Sequence, residues 1–268
     1  MKISRNNKIP DYDSITVTGD DSGDDVTKTT TADFSTAYSS AGTGSSLFIQ
    51  YNFASSFVCE YIAIAGSNVG SLSGSFNVYI DGSVKDTVSC EADRRNSVIM
   101  CTFDATNVTS SVKIQFQKFA SNSDIVTIGL VAAGQVWSLG GQEQEQAGFL
   151  RNWMTRSEKV RTQVNESAAP VAYVKQRIAR PGTLTLNNIK RSNLGSSPFD
   201  SGTPFGDFLD HVYDDGFFFM KENDGSVLPE QPQSSSLCFD AQFLPPAAHP
   251  DTRQLNNLQL TFKTYTGY

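Results

Sequence analysis

Histidine and charge are both scarce in this sequence, and their scarcity removes most reaction classes. Of 268 residues two are histidine, and Asp, Glu, Lys and Arg together supply 18 %, against roughly 25 % in an average soluble domain. His211 and His249 lie far apart, and each reads as a satisfied or solvent-facing side chain rather than a proton shuttle or metal ligand. The GxSxG elbow, the HExxH helix, the Walker loop and a GxGxxG after a strand are missing, and with them the usual geometry of nucleophilic hydrolysis, zinc peptidase chemistry and nucleotide binding. An enzyme made from this chain works from carboxylates alone. Asp207, Asp210, Asp214 and Asp215 are close enough in sequence to invite a glycosidase-type pair, but an acidic helix end and turn explain them more simply, and no enzyme is expected.

Basic residues are outnumbered, 21 against 28 acidic, for a net charge of −7 and a pI near 4.8. Nucleic acid is therefore a poor partner, because binding to phosphate backbones normally needs a basic face. No apolar run approaches the roughly 20 residues of a membrane span. Met1 to Lys8 has no apolar stretch behind its charges, so neither membrane insertion nor a signal peptide is expected. The cysteines, Cys59, Cys90, Cys101 and Cys238, show no CxxC spacing and sit among apolar or β-type neighbours. Buried free thiols are the default, with a Cys90–Cys101 bridge across a hairpin left open. Asn107-Val108-Thr109 and Asn165-Glu166-Ser167 match the glycosylation pattern and, without a secretory signal, read as chance.

What the sequence has is short β-type runs joined by turns. Leu47 to Phe53 alternates, Tyr61 to Ala65 is nearly all apolar, and Ser75 to Ile80 alternates again before Asp81-Gly82, a tight-hairpin signal. Further strands fit Ser97 to Phe103, Val112 to Phe116 and Ile125 to Val131. No amphipathic helical pattern is long enough to cross between parallel strands, so the expectation is a mainly β protein with an antiparallel β-sandwich of jelly-roll type. Residues up to about Gly44 read as loop and short edge strands. The paired Gly140-Gly141 suggest a boundary, giving a sandwich domain over 1–140 and a second, mostly β domain over 141–268 with one or two short helices. One helix is expected over Gln146 to Met154, where Phe149, Leu150, Trp153 and Met154 recur at helical spacing. A second starts at Thr203 as N-cap and Pro204 at the first helical position and runs to Tyr213. Strands fit Val160 to Val164, Val171 to Ile178, Thr183 to Ile189 and Leu258 to Tyr265. Glu230 to Asp251, rich in proline, reads as a loop excursion with one strand at Leu237 to Phe243.

No cofactor is expected. The one ion weighed is calcium, at Asp20, Asp21, Asp24 and Asp25, where carboxylates surround a glycine turn without EF-hand spacing; an exposed turn of like charges is the plainer reading.

The string Tyr61 to Gly70, followed by Phe76-Asn77-Val78-Tyr79-Ile80-Asp81-Gly82, resembles the central strands of galactose-binding-like, discoidin-type jelly rolls found in tailed-bacteriophage virion proteins. Ile128 to Trp137 resembles their closing strand, and Phe208-Leu209 with Tyr213 to Phe219 their C-terminal part. The resemblance covers about a third of the chain, Ser46 to Gly140. It implies a structural virion component, of distal-tail, baseplate, tail-tip or collar type, made in the bacterial cytoplasm and residing in the virion tail. The implied partners are further copies of the chain in a ring and other tail proteins, and the apolar run Phe217-Phe218-Phe219 is the expected oligomer contact. Discoidin-like jelly rolls also bind sugars through loops at one end, which makes a module recognising a host surface glycan the alternative, with Tyr12, Phe34 and Tyr38 as candidate contacts.

Overall fold

Strands covered on one face alternate in sequence, whereas strands covered on both faces are apolar throughout, and this chain contains both kinds. The computed structural model describes residues 2–19, 23–33, 36–40, 47–69, 72, 75–89, 98–117, 125–139, 147–150, 158–164, 170–177, 180–190, 202–221, 235–249 and 252–264. In chain order the first strands are β1 (Lys2–Ser4), β2 (Ser14–Thr18), β3 (Tyr38–Ser39), β4 (Phe48–Asn52), β5 (Phe57–Ala65), β6 (Ser75–Ile80) and β7 (Ser83–Ser89). They are followed by β8 (Ile99–Val108), β9 (Ser111–Gln117), β10 (Thr127–Ile128), β11 (Leu130–Gly134) and β12 (Val136–Ser138). Then come β13 (Ala147–Leu150), β14 (Glu158–Val164), β15 (Pro170–Arg177), β16 (Arg180–Lys190), helix α1 (Pro204–Asp215), β17 (Phe217–Lys221), β18 (Ser235–His249) and β19 (Thr252–Thr264).

A five-stranded antiparallel sheet, β2-β4-β9-β6-β7, faces a three-stranded one, β11-β5-β8. This is the expected β-sandwich. Its core interleaves Ile49, Tyr51, Phe76, Val78, Ile80, Val112, Ile114 and Phe116 from the larger sheet with Cys59, Ile62, Ile64, Ile99, Cys101, Val131 and Ala133 from the smaller. The alternate residues of the smaller sheet, Tyr61, Ala63, Ala65, Met100, Leu130 and Ala132, pack on Phe217, Phe219 and Leu237. Those three belong to a seven-stranded sheet, β12-β1-β17-β18-β19-β16-β13. Its opposite face presents Ile3, Trp137, Phe218, Met220, Cys238, Leu260 and Phe262 to Phe205, Phe208, Leu209 and Val212 of α1. The order is therefore sheet, sheet, sheet, helix, and the continuous run Tyr61 to Ala65 marks the strand in the middle.

The division at residue 140 is bridged by pairing. β1 lies between β12 and β17, with Ile3 opposite both Trp137 and Met220. Residues 5–8 continue along the edge of β11: Arg5 N–H donates to Gln135 O at 2.8 Å and Lys8 N–H to Ala133 O at 2.7 Å. Gly134 permits this approach. A Cβ there would meet the Asn6 side-chain oxygen and lie 2.6 Å from its carbonyl oxygen.

Local rules account for the ends of the elements. Asp81 and Gly82 carry positive φ, 49° and 79°, as the tight β6–β7 turn requires. Thr203 Oγ1 accepts from Gly206 N–H at 3.1 Å, Pro204 opens α1, and Gly216 closes it in the left-handed region at φ 72°. The helix expected from Gln146 is not formed at Ala147–Leu150, which instead pair antiparallel with Thr183 to Leu186 of β16. Gly148 weakens a helix, and the open edge of β16 offers this short segment a full set of backbone partners. The proline-rich stretch is also a strand. β17 covers only Ser235 to Phe239 of β18, so Pro245 and Pro246 fall where β18 has no second neighbour among the described residues, and where the register with β19 shifts between Leu244 and Ala247. Proline is tolerated there because the two residues sit in the bulge, where the ladder with β19 is interrupted.

Candidate functional site

The outer face of the five-stranded sheet is the sandwich surface with the most recognition chemistry. Because Ile49, Tyr51, Phe76, Val78, Val112 and Ile114 point inward, their neighbours Phe48, Gln50, Asn77, Tyr79, Lys113 and Gln115 point outward and are half-buried. The pairing aligns them in two rows across three strands, Phe48–Gln115–Asn77 and Gln50–Lys113–Tyr79, each about 10 Å wide at normal strand spacing. Lys113 Nζ sits 4.0 Å from the Tyr79 ring centroid and 5.2 Å from that of Phe48, so the cation is steered by two rings. Gln50 Nε2 donates to Asn52 Oδ1 at 2.8 Å. Asn77 Nδ2 reaches Tyr79 Oη at 3.5 Å, and Asn77 Oδ1 has no partner. Two aromatic rings, one ammonium and a set of carboxamides make a surface that offers donors, acceptors and ring faces without a catalytic group.

The loop aromatics fare differently. Tyr38 is fully buried in the sandwich core, because β3 pairs with β10 and sends the ring inward; it cannot meet a glycan. Tyr12 is half-buried and packs on the same core, and Phe34 lies outside the described residues.

Of the acidic cluster, Asp20 and Asp21 also lie outside the described residues. Asp24 accepts from Lys28 Nζ at 2.5 Å and Ser39 N–H at 2.8 Å, and these bonds, the lysine first, hold its carboxyl below the usual range. Asp25 accepts from the hydroxyl and N–H of Thr27 at 2.7 and 2.9 Å, capping a short 3₁₀ turn from Val26 to Thr30, and these bonds lower its pKa. Both carboxylates serve the fold. Among the described residues no group of His, Cys, Asp or Glu is arranged to hold a metal.

Phe217, Phe218 and Phe219 are 5 %, 0 % and 0 % exposed. The apolar run expected to contact another subunit is covered by this chain itself, Phe217 and Phe219 by the sandwich and Phe218 by α1. Cys59 is a free buried thiol, pushed up to about 12 by burial. Cys101 and Cys238 are also buried; Cys90 is outside the described residues.

A constellation that no sequence spacing announces joins β1, α1 and β17. His211 Nδ1 lies 2.6 Å from Asp215 Oδ2, and its Nε2 lies 3.1 Å from Ser4 Oγ. The order Ser, His, Asp is that of a hydrolase triad, yet Ser4 is 0 % exposed and its oxygen already accepts from Phe219 N–H at 2.8 Å. No substrate carbonyl reaches it. The group is a buried polar tie, with Tyr61 Oη donating nearby to Asn6 O at 2.7 Å and its phenol raised well above the ordinary range by burial. Asp207 likewise serves the fold, accepting from Arg5 Nε at 2.8 Å. Asp210 and Asp214 are exposed on the helix. No helix among the described residues is long and apolar enough to cross a membrane.

No protein-family model matches the sequence, and no curated protein matches it. Among solved structures, the chain is similar to one described as the CBM32 of AlyQ in complex with 4,5-unsaturated mannuronic acid, with 21 % identity and TM-score 0.37, over 46 % of this chain and 95 % of that one. A pectin-binding carbohydrate-binding module matches with 14 % identity and TM-score 0.38, over 48 % and 94 %. A point mutant of chitosan-binding module 1 from a chitosanase/glucanase of Paenibacillus sp. IK-5 matches with 14 % identity and TM-score 0.37, over 48 % and 97 %. None of these three is described as a virion protein, and at such values the likeness carries no functional argument.

Proposed function

We propose that the chain is a non-catalytic β-sandwich protein that contacts glycans through the outer face of its five-stranded sheet. The observation behind this reading is the pair of rows Phe48–Gln115–Asn77 and Gln50–Lys113–Tyr79. Carboxamides and an ammonium match the mixed donors and acceptors of sugar hydroxyls, and aromatic rings match the C–H faces of pyranose rings. A glycan-array screen followed by calorimetry tests it. Tyr79→Ala and Lys113→Ala are each expected to weaken the selected glycan at least tenfold while leaving the thermal midpoint within a few degrees. Absence of any glycan ligand, or binding unchanged in both variants, overturns the reading.

A second reading, a structural subunit of a phage virion tail, is favoured by one observation besides the resemblance. β14 and β15 form a ribbon that pairs with no other strand among the described residues. Immunogold labelling of intact virions from a bacterium carrying the gene tests it, and unlabelled particles count against it.

A further inference from the structure

We infer that the sugar taken by the outer face of the five-stranded sheet is an acidic one, a uronate whose carboxylate pairs with Lys113. The inference rests on the reading of that face as a glycan surface and names the class of sugar it takes.

The first ground is the make-up of the whole face. The row through Lys113 continues across all five strands as Thr16–Gln50–Lys113–Tyr79–Val84, and the row beside it as Thr18–Phe48–Gln115–Asn77–Thr87. Lys113 is the one charged side chain in the two rows, and neither contains a carboxylate. Acidic residues of the same sheet are turned to other tasks. Asp81 is held by the N–H groups of Thr109, Ser110 and Ser111, and Asp86 stands opposite the inward-facing Val78. Lys85 falls at the register shift between Val84 and Asp86 and belongs to neither row. A chain of net charge −7 thus presents on this face a cation without an internal counterion.

The second ground is the setting of the ammonium. Lys113 Nζ lies over the Tyr79 and Phe48 rings, and among the described residues no carboxylate or carbonyl accepts a hydrogen bond from it. Ring faces attract a cation but do not satisfy its N–H donors. Those donors are left to solvent or to a ligand. The rings also hold a side chain that is otherwise rich in rotamers over the middle of the face, which lowers the entropy lost when an anion binds there.

The third ground is what stands beside Lys113. Gln50 Nε2 is engaged by Asn52 Oδ1, so Gln50 Oε1 is the atom left to accept a sugar hydroxyl, and Gln115 brings a second carboxamide two residues along the strand from Lys113. A uronate carries a carboxylate, hydroxyls and C–H groups on one ring, which match the ammonium, the carboxamides and the aromatic side chains. Carboxylate is favoured over sulfate because each further charge on a ligand is repelled by a protein of net −7, and the face supplies one cation to answer it. A uronate brings one charge on each ring, and a heavily sulfated chain brings several.

The experiment is calorimetry of the full chain with matched polymers: polygalacturonate and its methyl ester, alginate and its propylene glycol ester, and dextran and dextran sulfate. At least one polyuronate is expected to bind. Its ester keeps the backbone and removes the charge, and is expected to bind roughly tenfold or more weakly, the loss of one charge-assisted hydrogen bond. Lys113→Gln brings the acid down to the level of the ester, Lys113→Arg keeps the preference, and Gln115→Glu, which sets a carboxylate beside the ammonium, weakens the acid but not the ester. Thermal midpoints matched to the parent establish that each variant folds. Equal binding of acid and ester overturns the inference, as does a preference that survives Lys113→Gln, or dextran sulfate bound more tightly than either uronate. A neutral glycan that binds and is lost in Tyr79→Ala, with no uronate bound, overturns the inference and leaves the glycan reading standing. Absence of binding to any glycan overturns both.

Discussion

The two sheets of the sandwich are made from similar residues in similar antiparallel pairing, yet they read differently and do different work. The five-stranded sheet is covered on one face, so its strands alternate, and its other face is left for polar and aromatic side chains. The three-stranded sheet is covered on both, by its partner and by the seven-stranded sheet, so β5 from Tyr61 to Ala65 is buried at every position. One sheet is a surface; the other is a partition between two cores. Substitution should therefore be tolerated on the outside of the first and punished on either side of the second.

The sharpest contrast pairs Phe219→Ala, which empties a wholly buried ring from the partition's second core, with Gln115→Ala on the open face. The first is expected to cost about 3–5 kcal/mol and the second within about 0.5 kcal/mol, read from urea midpoints at constant m-value. Equal effects would break the comparison.

Gly134→Ala puts a methyl group against the Asn6 backbone and is expected to cost about 1–3 kcal/mol, the range for overpacking. The same change at Gly82 meets no atom within 4 Å and is strained only by its φ of 79°, so about 1 kcal/mol is expected there. Thermal unfolding of both variants ranks them.

Ser4→Ala tests how much the polar tie contributes on the far side of the partition. It leaves Phe219 N–H and His211 Nε2 without their hydroxyl and is expected to cost about 1–2 kcal/mol. Hydrogen exchange at the Phe219 amide should rise in step with the loss; an unchanged rate would mean that another acceptor replaces the hydroxyl.

The smallest effect lies at the open end of the alternating sheet. Burial acts to raise the pKa of Asp81, but is outweighed by bonds from the N–H groups of Ser111, Thr109 and Ser110 and from Thr109 Oγ1, all at 2.8–2.9 Å. A carboxyl held below its unfolded value stabilises the fold above about pH 4 and ceases to do so as the medium is acidified through the folded value. Because Asp81 is exposed, solvent screens this contribution. Asp81→Asn is expected to lower the thermal midpoint slightly at neutral pH and to converge on the parent in acid. A gap that widens on acidification contradicts the assignment.

Much of the sandwich was legible because its signals are local. Alternation over Phe48 to Asn52 and Ser75 to Ile80, the Asp-Gly turn and the Thr203–Pro204 helix start each act over a few residues, and each appears where the sequence placed it. What was illegible depends on distant partners. Tyr38 looked like a loop aromatic because nothing nearby shows that Ile128 will pair with it. Phe217 to Phe219 looked like a subunit contact because two other layers of the same chain, remote in sequence, cover them. Phe149 and Leu150 share a helical spacing with Trp153 and Met154, which lie outside the described residues, yet Ala147 to Leu150 pair with β16 instead. The sheet-face rows could have been found by taking every second residue of β4, β6 and β9, but only the register reveals which of them stand side by side.

The placement of β1 has a consequence for how this protein is made. Ser4 receives the amide of Phe219, a residue 215 positions later, and the strand holding it is flanked by β12 and β17. A ribosome adds on the order of 5–20 residues per second, so roughly ten seconds or more separate the synthesis of this strand from that of its second neighbour. During that interval the nascent sandwich carries a bare apolar flank of Ala, Met, Leu and Tyr side chains. Contacts closing across such sequence distances form late and slowly, which makes the emerging chain a natural client for chaperones until β17 arrives. A fragment ending near residue 140 is arrested at that stage, and it is expected to aggregate more readily than the full chain.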